Sequence, residues 1–201
     1  REARIDMKEP VENVLEKGFD YDKYKALAKN KKVVAIGECG LDYWRRPKTE
    51  AKKEIFKKEQ IDVFLRQIDL AEESGLPMII HCREAFPEMM EVLKGRSVKG
   101  VIHCFTGTLK EAEKFISLGF LVGMNGIIFK TGLKEVIANV PLDKMLVETD
   151  CPYLSPPGLQ EKRNDPFSVR YVIREIAMIR GTEDAIIAGA TADNARKLFL
   201  I

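Results

Sequence analysis

The chain contains 201 residues, of which 45% are hydrophobic and 32% are charged, a profile typical of a globular domain with a well-buried core. Its 33 lysines and arginines nearly balance its 31 acidic residues, which excludes binding of nucleic acid through overall charge alone. The longest apolar stretch, residues 119–129, is too short to cross a bilayer, and no charged-then-apolar leader precedes the domain, so we predict a cytoplasmic protein without membrane contact.

In chain order, a helix is predicted over residues 21–29, and short β-rich runs then alternate with amphipathic stretches. Most of the runs consist of consecutive apolar residues, as in parallel strands that are covered on both faces. The predicted strands are 33–38, 77–81, 101–105, 120–124 and 145–150, and the predicted helices are 53–73, 87–93, 109–118, 133–140, 168–180 and 192–200. Thr108 and Thr131 stand where they could cap two of these helices.

The alternation of strands and helices with short connections predicts βαβ units around a parallel sheet. Two architectures fit this pattern, a doubly wound open sheet and a (β/α) barrel. A complete eight-stranded barrel typically needs ~250 residues, whereas five strands are predicted here. Residues 1–30 are polar and offer no convincing strand, and the chain opens with Arg1, so we expect a single, incomplete α/β domain over residues 1–201.

Two imidazoles and two carboxylates close four of the predicted strands, at Glu38, His81, His103 and Asp150. The carboxyl ends of parallel strands meet at one face, where ligands and catalytic groups gather. Imidazole and carboxylate together suit Zn²⁺, Mn²⁺ or another divalent ion. Any one of these residues alone is more often a structural histidine, a loop charge or a helix cap, so the predicted metal site rests on the set of four.

Four cysteines directly follow the four predicted ligands, at Cys39, Cys82, Cys104 and Cys151. Because side chains on a strand alternate between faces, a ligand that points to the site sends its cysteine towards the helix layer. The reverse orientation would create a four-cysteine site and bury the acids and imidazoles against helices, at a high cost in free energy. No two cysteines form a C-x-x-C pair, so we expect four free, buried thiols.

Six segments of the chain carry a more specific signal. They are VAIGECGLDY at residues 34–43, PMIIHCR at 77–83, VIHCFTG at 101–107, GFLVGMNG at 119–126, LVETDCPYL at 146–154 and RNDP at 163–166. In these segments and in their order, the chain resembles the TatD family of metal-dependent deoxyribonucleases. The resemblance implies an α/β fold of the (β/α)8 TIM-barrel type and a hydrolase that cleaves phosphodiester bonds of DNA, removing nucleotides from an end.

The resemblance also implies roles for the four predicted ligands. Glu38 would be the carboxylate shared between two divalent ions, of Mg, Mn or Zn, and His81 and His103 would complete the site of one of them. Asp150 would bind the second ion and orient or deprotonate the attacking water, so Glu38 and Asp150 are the predicted catalytic residues. Six further residues in or beside the matched segments are expected to contact the DNA substrate: Asp42, Tyr43, Arg83, Lys130, Tyr153 and Arg163.

The chain departs from the family pattern at its beginning. Family members normally start with a strand that ends in a His-x-His pair, which supplies two more ligands to the ion held by Asp150, and two further strands follow. Neither is found here, and the chain contains only two histidines. We therefore expect the 201-residue chain to bind at most one ion well, to be weak or inactive as an enzyme, and to self-associate through an exposed strand edge at residues 33–38.

Two other functions stay open on the sequence alone. The same barrel and metal cluster could serve a hydrolase that acts on an amide, an ester or a phosphotriester, because a fold does not fix a function. The missing His-x-His strand also leaves room for a non-catalytic barrel remnant that acts as a scaffold or interaction protein.

Overall fold

A computed structural model of the chain describes residues 19–159 and 163–201. The strands in these ranges are Ile36–Asp42 (β1), Met78–Arg83 (β2), Gly100–Ile102 (β3), Phe120–Met124 (β4) and Met145–Val147 (β5). The α-helices are Tyr21–Ala28 (α1), Glu50–Ser74 (α2), Phe86–Leu93 (α3), Leu109–Ser117 (α4), Lys134–Asn139 (α5), Val169–Arg180 (α6) and Asp184–Phe199 (α7). None of these described helices is both long enough and apolar enough to cross a membrane.

All five strands run parallel in one sheet, and their spatial order β1-β2-β3-β4-β5 repeats the chain order. A doubly wound sheet reverses its strand order at a switch point. Sequential order results instead when every right-handed crossover places its helix on the same side, as in the wall of a (β/α) barrel. Of the two predicted architectures, the barrel type is confirmed and the doubly wound sheet is wrong. Within the described residues, β1 and β5 are the outer strands.

The helices pack on the strands around one hydrophobic core. Helix α2 contributes Phe64, Ile68 and Ala71, which recur at steps of four and three residues and are fully buried. It ends at Gly75, which adopts a φ of 64° that glycine tolerates without strain. The structure thus confirms the helix predicted over residues 53–73 and its stop signal.

One of the two predicted helix caps is confirmed. The Thr108 hydroxyl accepts a hydrogen bond from the Glu111 amide, and the Glu111 carboxylate accepts one from the Thr108 amide at 2.7 Å, which completes a capping box at the start of α4. The prediction for Thr131 is wrong. Helix α5 begins after Leu133, so Thr131 lies in the preceding turn, where its hydroxyl donates to the Ile127 carbonyl oxygen at 2.9 Å.

The first strand begins and ends later than predicted. The sequence predicts a strand over residues 33–38 that ends at Glu38, whereas β1 continues to Asp42. A glycine soon after an apolar run looks like the end of a strand in sequence. Gly40 instead permits a close approach of two strands: its φ is 149°, and a Cβ there would lie 1.9 Å from the His81 carbonyl oxygen. Glu38 therefore lies within the strand rather than at its end.

The last strand and the last helix also differ from their predicted bounds. Strand β5 ends at Val147, so Asp150 lies three residues beyond it in a loop. Helix α7 begins at Asp184, whereas the prediction covers only residues 192–200. The first half of α7 is rich in alanine, which favours a helix but gives no clear apolar periodicity.

Candidate metal centre

The pairing of β1 with β2 brings the first predicted site residues together. Asp42 lies opposite Arg83 in the register. Side chains along β2 alternate, so His81 and Arg83 lie on the partly exposed face while Cys82 is buried. Glu38 and Asp42 of β1 are also accessible to solvent. One face of this strand pair therefore carries both carboxylates, an imidazole and a guanidinium.

Glu38, His81 and His103 form a compact group of ligand atoms. Glu38 Oε1 lies 2.9 Å from His81 Nδ1 and 2.9 Å from His103 Nε2, and the two ring nitrogens are 3.2 Å apart. Zinc bonds of about 2.0–2.1 Å at tetrahedral angles place neighbouring ligands about 3.3 Å apart. The three atoms are thus close to the spacing at which they could hold one divalent ion.

Each histidine of this group faces a second carboxylate with its other ring nitrogen. His81 Nε2 lies 3.2 Å from Asp42 Oδ2, and His103 Nδ1 lies 3.5 Å from Glu148 Oε1. Metal-binding histidines almost always donate their second N–H to a carboxylate, a carbonyl or water, which fixes the ring and raises its basicity as a ligand. The donor set, its spacing and these outer carboxylates therefore fit a divalent ion.

Glu148 was not among the predicted site residues, and two donors hold it in place. The Cys104 amide and the Asn125 side-chain amide donate to Glu148 Oε1 at 2.7 and 3.0 Å. Gly123 leaves room for the carboxylate, since a Cβ there would lie 3.1 Å from Glu148 Oε2. Its position directly after β5 could have revealed it, but the predicted strand ran on to Asp150 and enclosed Glu148.

Without a bound ion, the carboxylates of this group stabilise protonated imidazoles, and the imidazoles stabilise the ionised form of Glu38. Hydrogen bonds from His103 and His81 hold the pKa of Glu38 well below its ordinary value. Burial alone would lower the pKa of both histidines, but the carboxylates outweigh it: Asp42 and Glu38 raise the pKa of His81 to about 9, and Glu148 and Glu38 raise the pKa of His103 to about 10. Without a bound ion, both shifts favour the protonated imidazole.

Metal binding is expected to release protons near neutral pH. A divalent ion needs neutral imidazoles, so it must displace the protons of His81 and His103. Below the pKa values of about 9 and 10, the metal affinity should rise about tenfold per pH unit for each proton displaced. Isothermal titration calorimetry in buffers of different ionisation enthalpy measures the released protons. Identical heats in all buffers would contradict the prediction.

The same pKa shifts affect folding stability in the opposite direction: metal affinity rises with pH, whereas the stability of the metal-free protein falls. Because the pKa of His81 and His103 is raised above the ordinary value of 6.5, protonation stabilises the folded state. This stabilisation is fully present below pH 6.5 and is lost as the pH rises through about 9 to 10. Urea denaturation of the metal-free protein across this range serves as the control for the calorimetry, because it follows the same protons without an ion.

Asp150 stands beside the compact group, in the loop after β5. Burial raises the pKa of its carboxyl, the charge of His103 lowers it, and the charges of Glu148 and Glu38 raise it further. The charges of the group therefore act on Asp150. The residues whose ligand atoms lie within 4.8 Å of one another are Glu38, His81 and His103, and Asp150 is not among them. The structure brings Glu38, His81 and His103 into one group. The fourth predicted ligand, Asp150, lies outside this group, but the charges of the group influence its pKa.

The backbone at this rim is strained at three points. Glu84, Cys104 and Asp150 have φ values of 54°, 46° and 54°, in the left-handed region that residues other than glycine rarely adopt. The first two directly follow Arg83 and His103, and the third is itself a predicted ligand. Strain of this kind clusters at active sites, where the surrounding structure holds a residue in a functional geometry.

The cysteine prediction is confirmed at two positions and wrong at one. Cys39 and Cys82 belong to the hydrophobic core, with exposed fractions of 7% and 5%. Cys104 is partly buried, and its Sγ lies 3.6 Å from Asn125 Oδ1. Cys151 is exposed, because β5 ends before it and strand alternation does not reach it. All four are free thiols, as predicted.

Two of the residues expected to contact substrate lie at this site, and one does not. Asp42 contacts His81, and the Arg83 guanidinium carbon lies 4.3 Å from the centroid of the Trp44 ring. Tyr43 is only 1% exposed and packs in the core. The expected substrate contact of Tyr43 is therefore wrong, because β1 extends to Asp42 and the alternation of faces turns the next side chain inward.

The remaining expected substrate contacts lie in loops. Lys130 is exposed and follows a short 3-10 helix after β4, and Tyr153 is 44% exposed in the loop after β5. Arg163 is exposed beside Asn164, whose side-chain amide donates to the carbonyl oxygens of Thr149, at 2.8 Å, and of Tyr153. Asn164 was not predicted, and it ties the segment that carries Arg163 to the loop after β5. Direct contact of these side chains with substrate stays a prediction.

The sequential parallel sheet and the imidazole–carboxylate group at its rim define a protein of the TIM-barrel type with a candidate metal site. A family model described as TatD related DNase matches residues 8–200. The chain belongs to the TatD family, which confirms the resemblance predicted from its six segments.

Individual relatives support this assignment. YabD of Bacillus subtilis, named an uncharacterized metal-dependent hydrolase, is 40% identical over 184 residues, which cover 88% of this chain and 69% of YabD. A Rahnella protein named 3'-5' ssDNA/RNA exonuclease TatD is 37% identical over 188 residues, with coverage of 88% and 69%. The crystal structure of YjjV, a TatD homolog from Escherichia coli, matches with a TM-score of 0.83 at 30% identity and covers 94% of this chain and 73% of its own.

Proposed function

We propose that the protein is a metal-dependent hydrolase that cleaves phosphodiester bonds of DNA and removes nucleotides from an end. The observation that carries the proposal is the group of Glu38, His81 and His103, whose ligand atoms lie 2.9–3.2 Å apart and whose imidazoles are each backed by a second carboxylate. Membership of the TatD family supports the same chemistry, since relatives carry the names metal-dependent hydrolase and 3'-5' ssDNA/RNA exonuclease.

We assign the first divalent ion to Glu38, His81 and His103. Two imidazoles favour Zn²⁺ or Mn²⁺ over Mg²⁺, which prefers oxygen ligands. A second ion would share Glu38 with Asp150. When bound, such ions polarise the phosphoryl group, activate water at neutral pH and stabilise the departing oxygen.

The protein's own residues would position the reaction. Asp150, whose pKa is raised by burial, would accept a proton from the attacking water. Arg83 offers a guanidinium on the same face of β2 as His81, and Lys130 and Arg163 add exposed cations for phosphate oxygens. Because the net charge is only +2, these local cations rather than the overall field would hold the nucleic acid.

The second ion has few candidate ligands in the part of the chain that the structure describes. Among residues 19–159 and 163–201 we assign it Glu38 and Asp150, and both histidines of the chain are already committed to the first ion. We therefore expect the 201-residue chain to be weak or inactive, so its assays need long incubation and sensitive detection of product.

We place this activity in the cytoplasm. The four cysteines are free thiols, and proteins of reducing compartments rarely contain disulfides. Fractionation of the source cells tests this placement, and recovery of the protein outside the cytoplasmic fraction would overturn it.

A substrate panel tests the proposed chemistry. Metal-stripped protein is incubated with single-stranded DNA, duplex DNA, RNA, a simple phosphodiester, an ester and an amide, with or without Mn²⁺, Zn²⁺ or Mg²⁺. We expect metal-dependent release of mononucleotides from DNA ends, detected by mass spectrometry and abolished by a chelator. Cleavage of only the ester or the amide would contradict the proposal in favour of the other class of metal hydrolase. Failure to bind any divalent ion would contradict an enzyme and favour a non-catalytic scaffold.

A further inference from the structure

The loop between β1 and α2 carries an aromatic side chain that the proposed chemistry does not use. Trp44, the one tryptophan of the chain, is 42% exposed. The Arg83 guanidinium carbon lies 4.3 Å from the centroid of its ring, so a cation covers the indole on one side. An exposed tryptophan needs no explanation by itself, but this one contacts Arg83, which lies two residues after the candidate ligand His81.

Trp44 is held by two residues that lie next to the candidate metal ligands. Its amide donates to Asp42 Oδ1 at 2.8 Å, and the other oxygen of the same carboxylate contacts His81 Nε2 at 3.2 Å. Arg83 lies two residues after His81 on the same face of β2. The Asp42 carboxylate thus holds the backbone of Trp44, and the Arg83 guanidinium packs on its ring. A side chain that is already held in place loses less conformational entropy when a ligand binds.

The charge of the same loop is entirely positive. Residues 43–49 contain two arginines and one lysine and no acidic residue. Arg46 pairs with Glu84 at 3.4 Å, whereas Arg45 and Lys48 are exposed and form no ion pair with any residue of 19–159 or 163–201. The same loop thus carries an exposed indole and two exposed cations. Single-strand binding proteins combine these two features, a stacking surface and phosphate-binding charge.

We propose that Trp44 is a stacking platform for an unpaired nucleobase, and that Arg45 and Lys48 bind the phosphates that flank that base. The inference rests on the proposed phosphodiesterase function and deepens it, because it assigns a base and its flanking phosphates to residues outside the metal centre. A duplex hides the faces of its bases, whereas a single strand offers every base face to an aromatic ring. The base would stack on the indole while Arg83 supports the ring.

Fluorescence of the one tryptophan tests the platform directly. A chelator prevents cleavage, and the protein is titrated with a single-stranded oligonucleotide, the same sequence as a blunt duplex, and an abasic strand with equal phosphate charge. We expect strong quenching by the single strand and little by the other two. Trp44→Leu should weaken binding of the single strand about 5- to 150-fold, measured by anisotropy of a labelled oligonucleotide, the loss that follows removal of one stacking contact.

Matched variants separate stacking from a structural role. Trp44→Phe keeps an aromatic face and should recover most of the affinity, and Tyr24→Leu removes an exposed aromatic ring on α1 and should bind like the wild type. If Trp44→Leu does not fold, the proposal is still tested by the wild type, in which the intact single strand should quench the fluorescence more than the abasic strand. Equal quenching by both strands, or equal affinity of a folded Trp44→Leu, would overturn the platform.

Parallel hydrolysis of a small phosphodiester without a base separates this inference from the proposed function. The wild type should hydrolyse that compound when a divalent ion is present, because the proposed chemistry at the metal centre needs no base. Hydrolysis without quenching would leave the phosphodiesterase standing and overturn the platform. Quenching by a protein that binds no divalent ion would confirm nucleobase binding at Trp44 and overturn the proposed function, because the proposed chemistry requires such an ion.

Discussion

Glu38→Gln is expected to remove metal binding and hydrolysis together. Glu38 Oε1 lies 2.9 Å from both His81 Nδ1 and His103 Nε2, so it is the atom on which the ligand group converges. An amide keeps the size of the side chain but loses the anion that a divalent ion requires. Loss of an outer-shell partner costs ~10–100-fold in metal affinity, and loss of this direct ligand should cost more. Calorimetric titration with Zn²⁺ or Mn²⁺ measures the affinity, and the phosphodiester assay measures the rate.

A carboxylate at a distance from the site provides the control for this variant. Glu135→Gln removes an exposed charge in the first turn of α5 and should leave metal binding and rate unchanged. Circular dichroism of both variants checks that each is folded. A folded Glu38→Gln protein with wild-type metal affinity would refute the assignment of Glu38 as a ligand.

Glu148→Ala is expected to weaken both the fold and the metal site. The carboxylate accepts hydrogen bonds from the Cys104 amide at 2.7 Å and from Asn125 Nδ2 at 3.0 Å, and it faces His103 Nδ1 at 3.5 Å. Alanine leaves these donors without their acceptor, which costs about 1–3 kcal/mol in the free energy of unfolding. Without this partner His103 loses its fixed orientation, and metal affinity should fall by ~10–100-fold.

Two variants calibrate this result. Glu148→Gln retains an acceptor for the Cys104 amide, so it should be more stable than the alanine variant while still lacking the charge that raises the pKa of His103. Glu113→Ala removes an exposed carboxylate from α4 and should match the wild type in urea denaturation. Equal urea midpoints for Glu148→Ala and Glu113→Ala would show that Glu148 does not stabilise the fold.

The location of each strand could be predicted from the sequence, and so could both ends of β4, but the bounds of β1 and the end of β5 could not. Buried parallel strands leave continuous apolar runs, and these runs predicted all five strands and the sides on which His81 and Cys82 lie. The end of β1 was missed because Gly40 resembles a terminator in the local sequence. Its actual role depends on contact with the His81 carbonyl oxygen from another strand, which no local pattern reveals.

The supporting residues of the site were also beyond local prediction. Tyr43 is the last residue of a matched segment and Trp44 directly follows it, and only the true end of β1 decides that the first is buried and the second exposed. Glu148 owes its importance to donors that arrive from the turn after β3 and the end of β4. Residue types therefore predicted the ligands, whereas tertiary contacts determine what orients them.

The two imidazoles present opposite ring nitrogens to the candidate ion, His81 through Nδ1 and His103 through Nε2. To coordinate an ion, each must carry its one proton on the far nitrogen, so they must adopt opposite tautomers. Asp42 selects the tautomer of His81, and Glu148 selects that of His103. Each imidazole therefore depends on its own outer carboxylate. A substitution of Asp42 should change the nitrogen NMR signals of His81 and leave the protonation of His103 as it is, and a substitution of Glu148 should do the reverse.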